Sequence, residues 1–310
     1  MLFSYPGGCE IGSRPIDLHL NSFKKLGIKI EENSGNIYCK CDKIKNVQIH
    51  LDFPSVGATE NIILASVLGD SEVIIENAAL EPEIVDLAEF LNRMGAKIFG
   101  MGTSIIKIKG VQNLKEVSYN IMPDRIEAGT LLIATAMTGG KIHLKKVVPE
   151  HISPLLHKLE EIGCKLIVNK DNIILISPKR LKATEIKTMP YPGFPTDLQS
   201  IFACMLTIAK GTSIITENIF ENRFKIFSEL KRMGVKANIE GKTLVIKGVK
   251  KLHGAEVQST DLRGGAALVL AGLVAKGTTK VKNIEYILRG YENLDLKLNS
   301  IGANITREGS

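Results

Sequence analysis

The sequence predicts an α/β protein built from a repeated unit, and two series of glycines carry that prediction. In the first series, an amphipathic segment ends in a hydrophobic residue and a glycine and then runs into a strand. The glycines of this series are 68, 68, 71 and 68 residues apart: Gly27, Gly95, Gly163, Gly234 and Gly302. Each one stands where the C-cap of a helix needs a left-handed residue. The spacing therefore predicts five amphipathic outer helices.

A second type of helix follows each of the first four repeats. Residues 61–68, 130–137, 201–209 and 266–275 are apolar nearly all round, which predicts helices that are buried on every side. A glycine and then a β-rich run come after each of them, at Gly69, Gly140, Gly211 and Gly277. Each unit is then a strand, an outer helix, strands, a buried helix and a strand. The helices lie inside the sheets, which is the inverse of the usual α/β layering.

The fifth repeat is shorter than the others. It contains one helix and at most one short strand around Ile305 before the sequence ends at Ser310. A half unit leaves a sheet edge and an apolar helix face uncovered. We therefore expect something outside these residues to complete it.

The composition restricts the class of protein. With 310 residues, 44% of them hydrophobic and 24% charged, the chain is long enough for two ordinary domains and has the composition of a globular protein. The longest nearly apolar stretch, residues 266–275, is half as long as a membrane helix, and the first residues do not read as a secretion signal. We expect a cytoplasmic protein without a membrane partner.

The cysteines and the net charge favour small anionic ligands. Five scattered cysteines, an odd number, do not suggest a disulfide framework. Cys39 and Cys41 lie on one face of a predicted strand with no histidine in ligand spacing, so we expect no metal. The net charge of +7 suits phosphates or nucleic acid. Because the chain has no Trp and only 5% aromatic residues for base stacking, nucleic acid is the weaker interpretation.

Several motifs identify a family. They are PGGCEIGSRP at residues 6–15, PSVGAT at 54–59, PDRIE at 123–127, FPTD at 194–197 with FENRF at 220–224, and DLR at 261–263 with RGYE at 289–292. Together with the repeat, they resemble the enolpyruvyl transferases over essentially the whole chain, and specifically the branch that acts on UDP-N-acetylglucosamine. The resemblance implies two inside-out, barrel-like α/β domains of βαβαββ units, which we place at residues 1–122 and 123–310.

The resemblance also implies a longer beginning. The family carries roughly one hundred residues before its cysteine loop, including a Lys-Asn pair and an arginine that bind the two substrates, and we find no counterpart before Cys9. Four and a half repeats stand where the family has six. We therefore expect an N-terminal segment to be lacking and consider a separate N-terminal fragment as a partner.

The implied reaction moves the enolpyruvyl group of phosphoenolpyruvate to the 3-hydroxyl of UDP-N-acetylglucosamine and releases phosphate. In the family this is the first committed step of peptidoglycan precursor synthesis. The hydroxyl must lose a proton, the enol carbon must gain one, and the carboxylate and phosphate must be held. The two small molecules are the expected partners, and no cofactor is implied.

Two residues match the family's proton-transfer positions. Cys9 stands in a glycine-rich loop suited to a lid and is the general acid or covalent participant, while the residues alone also allow a flexible surface thiol. Asp197 is the base on the sugar hydroxyl. From the residues alone, a carboxylate at the start of an apolar helix is more often an N-cap or a first-turn carboxylate.

The other predicted site residues bind anions. The resemblance assigns phosphoenolpyruvate to Arg223, Arg263 and Arg289, since a guanidinium fork binds carboxylate and phosphate bidentately. As isolated residues, these arginines would be solvated surface charges. The resemblance assigns the nucleotide sugar to Arg14, Pro15, Ile16, Asp17, Leu18, Ser55, Val56, Gly57, Asp197 and Ile219.

Helix starts recur among these motifs. Residues 55–57 follow Pro54 and begin a buried helix, whose free N–H groups suit a diphosphate, although a plain N-cap serine fits the same pattern. Asp124 and Asp261 occupy the same helix-start position as Asp197. We interpret Asp124 as a hinge cap and Asp261 as a support for Arg263.

Three hypotheses follow. The first is an active transferase. The second is a truncated, non-catalytic protein that binds a nucleotide sugar or a complementary fragment, which the unmatched Lys-Asn pair supports. The third is the sister enzyme that makes enolpyruvylshikimate phosphate, which shares the fold but lacks the Pro-Gly-Gly-Cys loop found here.

Overall fold

The computed structural model describes residues 2–4 and 16–308, which form two compact units. Unit 1 contains residues 2–4 and 16–122, and unit 2 contains residues 123–308. Three residues of the predicted site, Cys9, Arg14 and Pro15, lie outside the described residues.

Unit 1 places helices against two sheets. Its helices are α1 (Asp17–Lys25), α2 (Val56–Ser66) and α3 (Pro82–Arg93). Strands β1 (Leu2–Ser4), β2 (Lys29–Asn33) and β3 (Asn36–Lys40) form an antiparallel sheet in the order β1-β3-β2. Strands β4 (Val47–His50), β5 (Glu72–Glu76), β6 (Lys97–Phe99) and β7 (Ile105–Lys109) form a second sheet in the order β4-β5-β7-β6. Alternate residues of β5 and β7, such as Val73 and Ile106, are buried in the core of this unit.

Unit 2 contains seven α-helices and one 3-10 turn among the described residues. They are α4 (Arg125–Thr138), a 3-10 turn at Pro149–Ile152, α5 (Ser153–Glu161), α6 (Thr196–Leu206), α7 (Ile226–Arg232), α8 (Leu262–Val274), α9 (Glu285–Leu288) and α10 (Leu294–Ser300). Helices α4, α6 and α8 pack on one another and form the centre of one large apolar core.

The strands of unit 2 surround these helices. Strands β8 (Lys141–Lys145), β9 (Lys165–Val168) and β10 (Asn172–Ile176) form an antiparallel sheet in the order β8-β10-β9. Strands β11 (Glu185–Lys187), β12 (Thr212–Thr216), β13 (Lys236–Glu240) and β14 (Thr243–Lys247) form a sheet in the order β11-β12-β14-β13. Two parallel pairs complete the unit, β15 (Leu252–His253) with β17 (Ala275–Lys276) and β16 (Glu256–Gln258) with β18 (Lys280–Lys282).

The predicted repeat is confirmed. Three times, a strand leads into an internal helix and then into a parallel neighbouring strand, as β4-α2-β5, β11-α6-β12 and β16-α8-β18. An outer helix and an antiparallel hairpin follow the first two of these crossovers, α3 with β6-β7 and α7 with β13-β14. The glycines that end the outer helices all have positive φ, between +93° and +108°, as the C-cap argument requires.

The prediction of fully buried second helices holds for α6 and nearly so for α4, whereas Val269 and residues 272–275 at α8 are only half-buried and α2 is partly exposed. Every residue of α6 from Leu198 to Leu206 is buried, whereas the side chain of Leu64 in α2 is 53% exposed. The reason lies in the number of internal helices. Three of them cover one another in unit 2, while α2 is the one internal helix among the described residues of unit 1.

Residues 303–308 form no strand, in agreement with the expectation of at most one, and the side chain of Asn299 bonds both the N–H and the C=O of Ile305. One smaller expectation is corrected. Cys41 lies just beyond β3, so it does not share a strand face with Cys39. Across residues 16–308, none of the helices has both the length and the apolar character that a membrane crossing demands.

Candidate active site

A carboxylate between two arginines forms the centre of the candidate site in unit 2. Asp197 is the second residue of α6, and its Oδ1 accepts a hydrogen bond from Nη2 of Arg223 at 2.5 Å. Its Oδ2 accepts one from Nη2 of Arg263 at 3.2 Å. The three residues come from separate segments: the start of α6, the loop before α7 and the first turn of α8. The fold therefore brings together three of the residues that the motifs predicted.

Asp197 is not the N-cap of its helix. The N-cap position belongs to Pro195, and no side chain accepts a capping bond there. By contrast, Asp124 caps α4 and Asp261 caps α8, each accepting two backbone N–H bonds. The N-cap half of the capping interpretation is thus wrong for Asp197, whose carboxylate lies in the first turn of α6, as that interpretation also allowed, and is bound by the two arginines.

The arginines determine the ionisation of Asp197. Its partial burial opposes the charged form, but Arg263 and Arg223 outweigh that effect and hold the pKa of the carboxyl below its ordinary value. The side chain of Asp197 is still 43% exposed, so the carboxylate remains open to a ligand. The site therefore contains an ionised acceptor at neutral pH.

This lowered pKa predicts a pH-dependent contribution to stability. A carboxyl whose pKa is lower in the folded state stabilises the fold above its unfolded pKa of about 3.9 and loses that effect as the pH falls through the folded value. We expect the difference in Tm between the unsubstituted chain and Asp197→Asn to be largest at neutral pH and to shrink below about pH 4. Thermal melts from pH 7 to 3 at constant ionic strength measure it. Asp171→Asn, in an exposed loop, is the control, and a Tm difference independent of pH would contradict the ion pairs.

Arg223 is held more completely than Arg263. Its side chain is 3% exposed, its Nη2 also donates to the C=O of Thr196 at 3.2 Å, and its guanidinium lies 5.3 Å from the centroid of the Phe220 ring. These contacts fix the plane of the guanidinium. Arg223 is therefore positioned before any ligand arrives.

Arg263 has unused donors. Its side chain is 12% exposed, yet its Nε and Nη1 form no hydrogen bond within the part of the chain that is described. Burial opposes its charge, but the Asp197 carboxylate keeps the pKa of the guanidinium raised. Buried donors without partners are costly, so they mark a place where an anionic ligand would satisfy them.

The aromatic ring of Tyr291 packs against the guanidinium of Arg263. The guanidinium lies 5.2 Å from the centroid of the Tyr291 ring, and the ring is 1% exposed. The hydroxyls of Tyr291 and Thr130 are 2.9 Å apart, and that of Thr130 also donates to the C=O of Ile126. Burial raises the pKa of Tyr291, so the ring stays neutral beside the cation.

Removal of the Tyr291 hydroxyl should weaken the fold without removing the ring from Arg263. We expect Tyr291→Phe to lower the free energy of unfolding by about 0.5–1.5 kcal/mol, the net contribution of one buried hydrogen bond. Urea denaturation measures it, with Tyr38→Phe as the control because that side chain is 45% exposed. Equal stability of Tyr291→Phe and the unsubstituted chain would show that the bond to Thr130 contributes nothing.

The predicted nucleotide-sugar residues of unit 1 lie at two helix starts. Ser55 is the N-cap of α2 and accepts a bond from the N–H of Ala58, while Val56 and Gly57 form the first turn. A Cβ on Gly57 would be 3.0 Å from Nε2 of His19, so the imidazole closes one side of this helix start.

The second helix start is that of α1. Ile16 is its N-cap, and the exposed Asp17 is its first residue. Leu18 packs partly on the core of unit 1. The binding roles of these three residues stay predictions.

Two further predicted site residues lie in unit 2. Ile219 is half-buried in the loop after β12, and Arg289 is exposed at the end of α9. Their roles also stay predictions.

Sequence reasoning missed Tyr291 and Thr196, although both lie inside the quoted motifs. An aromatic residue in RGYE and a hydroxyl in FPTD were the available indications.

The comparison with known proteins decides the family. A family model described as EPSP synthase (3-phosphoshikimate 1-carboxyvinyltransferase) matches residues 1–298. The chain belongs to this enolpyruvyl transferase family. The motif-based resemblance is thereby confirmed.

Relatives within the family point to one branch. The chain is 56% identical over 305 residues to UDP-N-acetylglucosamine 1-carboxyvinyltransferase 2 of Caldanaerobacter subterraneus, and the match covers 98% of this chain and 73% of that enzyme. It is 52% identical over 304 residues to UDP-N-acetylglucosamine 1-carboxyvinyltransferase of Halothermothrix orenii, with coverage of 98% and 73%. These names agree with the branch that the motifs indicated.

Solved enolpyruvyl transferases share the fold. NikO from Streptomyces tendae has a TM-score of 0.85 at 23% identity and covers 94% of this chain and 72% of its own. EPSP synthase from Acinetobacter baumannii has a TM-score of 0.71 at 19% identity, with coverage of 98% and 74%. At such identities the likeness concerns the fold alone, and it confirms the predicted fold class.

Proposed function

We propose that the chain transfers the enolpyruvyl group of phosphoenolpyruvate to the 3-hydroxyl of UDP-N-acetylglucosamine and releases phosphate. The observation that carries this proposal is the cluster of Asp197, Arg223 and Arg263. It combines an ionised acceptor for the hydroxyl proton with two cations for an anionic donor. The relatives at 52–56% identity support the choice of the nucleotide sugar.

Atoms and protons balance in two stages. The sugar oxygen bonds to C2 of phosphoenolpyruvate while Asp197 accepts the hydroxyl proton and a general acid protonates C3. The bond from C2 to the phosphate oxygen then breaks, C3 returns a proton to the general acid as the double bond re-forms, and the proton held by Asp197 leaves with the phosphate. Cys9 is our candidate for the acid at C3, in keeping with the family's cysteine loop.

Binding of phosphoenolpyruvate would make Asp197 a stronger base. Both oxygens of Asp197 are engaged by arginines, which lowers the basicity of the carboxylate. When the carboxylate and phosphate of phosphoenolpyruvate attract those guanidinium groups, the attraction on Asp197 weakens and its pKa rises. A carboxylate also has lone pairs left for the sugar hydroxyl.

The nucleotide sugar needs further contacts. We propose that it uses Arg14, Pro15, Ile16, Asp17, Leu18, Ser55, Val56, Gly57 and Ile219, with a diphosphate at the free N–H groups that begin α2. Arg289 is the third proposed cation for phosphoenolpyruvate. The product would serve peptidoglycan precursor synthesis, and hence cell-wall growth and division, in the cytoplasm.

An additional segment of polypeptide is a further proposed partner. Strands β5 and β12 each have a neighbour on both sides, whereas β8 and β18 have one among the described residues. Both of these half-paired strands line one groove of about 1130 Å³ in unit 2, closed on another side by residues 303–308. We propose that strands from the region of the relatives that this chain does not match add to these two edges.

This partner is tested with the corresponding region of the Caldanaerobacter subterraneus enzyme. Added to the chain as a purified peptide, it should bind and raise phosphate release, whereas a peptide of scrambled order should do neither. Failure to bind would exclude this occupant.

Steady-state phosphate release tests the proposed function. The chain, alone or with that peptide, should release phosphate only when both substrates are present, and Cys9→Ala should lower the rate strongly. Cys164→Ala is the matched control, because Cys164 is buried in the core of unit 2. Release from phosphoenolpyruvate without the sugar would indicate a phosphatase and would overturn the proposal.

A further inference from the structure

Glu217 is a buried carboxylate beside the cluster. It is 2% exposed and directly follows β12. Its Oε1 accepts from Oγ1 of Thr188 at 2.7 Å and from the N–H groups of Ile219 and Phe220 at 2.8 and 3.2 Å. Its Oε2 accepts from Oγ1 of Thr196 at 3.0 Å. Burial of a carboxylate is costly unless hydrogen bonds satisfy it, and here four neutral donors do so.

The donors come from three separate segments. Thr188 follows β11, Thr196 begins α6, and residues 219–220 lie in the loop between β12 and α7. Thr188 also accepts a bond from the N–H of Asn218, which ties the same loop a second time. A single side chain therefore fixes the relative position of three segments that form the site.

Thr196 transmits this constraint to the cluster. Its hydroxyl is held by Glu217, its C=O accepts from the guanidinium of Arg223, and the next residue is Asp197. The same loop carries Phe220, whose ring lies against Arg223. The base and its partner cation thus depend on Glu217 through two routes, one along α6 and one along the loop.

We propose that Glu217, acting through Thr196, is a positioning residue for the transfer reaction. It sets the distance between the Asp197 carboxylate and the Arg223 guanidinium, and it orients Ile219 toward the sugar. This inference rests on the proposed function, since it assigns a role within that reaction. Its physical basis is that small misplacements of reacting groups cost large factors in rate.

A purely stabilising role would have different consequences. Loss of one buried hydrogen bond would then lower Tm but leave kcat unchanged. Thr196 separates the two roles, because Val has the shape of Thr without the hydroxyl, while Ser retains the hydroxyl without the methyl group. The C=O that binds Arg223 remains in both variants.

The experiment compares Thr196→Val, Thr196→Ser and Thr207→Val. Thr207 is fully buried at the other end of α6 and donates to the C=O of Cys204, so its replacement is the same chemical change away from the site. We expect Thr196→Val to lower kcat by about 10- to 100-fold, whereas Thr196→Ser stays within about threefold of the unsubstituted chain. Thr207→Val should lower Tm by a similar amount and leave kcat unchanged.

Two results would overturn the inference. An unchanged kcat in Thr196→Val shows that the contact is only structural, and an equal loss in Thr207→Val shows that the effect is general instability. If Thr196→Val does not fold, Glu217→Gln replaces it, because its amide oxygen still accepts from the loop while its NH₂ disturbs the bond from Thr196. Glu217→Gln should then lower kcat as well, by a smaller factor than Thr196→Val, and an unchanged kcat overturns the inference. If the unsubstituted chain forms no product, that result contradicts the proposed function itself, which is a distinct outcome.

Discussion

Asp197→Asn should lower kcat by about 10²- to 10⁴-fold, the usual contribution of a positioned general base. The amide has the shape of the carboxylate and can still accept from one arginine, but it cannot take the proton of the sugar hydroxyl. Steady-state assays with both substrates measure the change. The acidic limb of the pH profile of kcat, which reports the base in the substrate complex, should disappear in the variant.

The control for Asp197→Asn is the same replacement at an exposed position of unit 2. Asp171→Asn removes one carboxylate charge from a surface loop, and it should leave kcat and its pH profile unchanged. An Asp197→Asn variant that retains the acidic limb would show that another group accepts the proton. The arginine contacts would then have a structural or binding role only.

Arg263→Lys should raise the KM for phosphoenolpyruvate by about 10- to 100-fold. Lysine retains the positive charge but cannot present the Nε and Nη1 donors that are left without a partner in the described structure. Hydrogen bonds to charged groups contribute about 1.5–3 kcal/mol, which corresponds to this range. The KM for UDP-N-acetylglucosamine should change little, since the proposed sugar contacts are other residues.

The matched control is Arg232→Lys. Arg232 is in α7, its side chain is 55% exposed, and its ion pair with Glu229 is long, at 3.9 Å. That variant should retain both KM values. An equal rise of the two KM values in Arg263→Lys would show a general disturbance of the site. No rise in either KM would show that Arg263 does not bind phosphoenolpyruvate.

The fold was predictable where local chemistry decides it. Left-handed glycines after amphipathic segments gave the positions of the outer helices, because few other residues adopt that conformation without strain. The burial of α2 was not predictable in the same way. An apolar sequence indicates that a helix can be buried, but whether Leu64 is covered depends on the number of neighbouring helices, which is a property of the tertiary structure.

The site was predictable in its members and less so in its contacts. The motifs named Asp197, Arg223 and Arg263, but pattern alone favoured an N-cap or first-turn carboxylate at Asp197, and only the fold brings the loop before α7 and the start of α8 to α6. Glu217 was not predicted because an acidic residue after a strand is ordinarily a solvated one. Its four donors come from segments up to 29 residues away, a distance that local patterns do not report.

The central claim is that this chain joins phosphoenolpyruvate to the nucleotide sugar at the Asp197 cluster. Carbon-13 NMR of phosphoenolpyruvate labelled at C2, mixed with the chain and UDP-N-acetylglucosamine, tests it most directly. We predict that the donor signal is replaced by that of an enol ether on the sugar, with one phosphate released for each product, and that Asp197→Asn suppresses this conversion. Labelled pyruvate as the product, or equal conversion by Asp197→Asn, would contradict the claim.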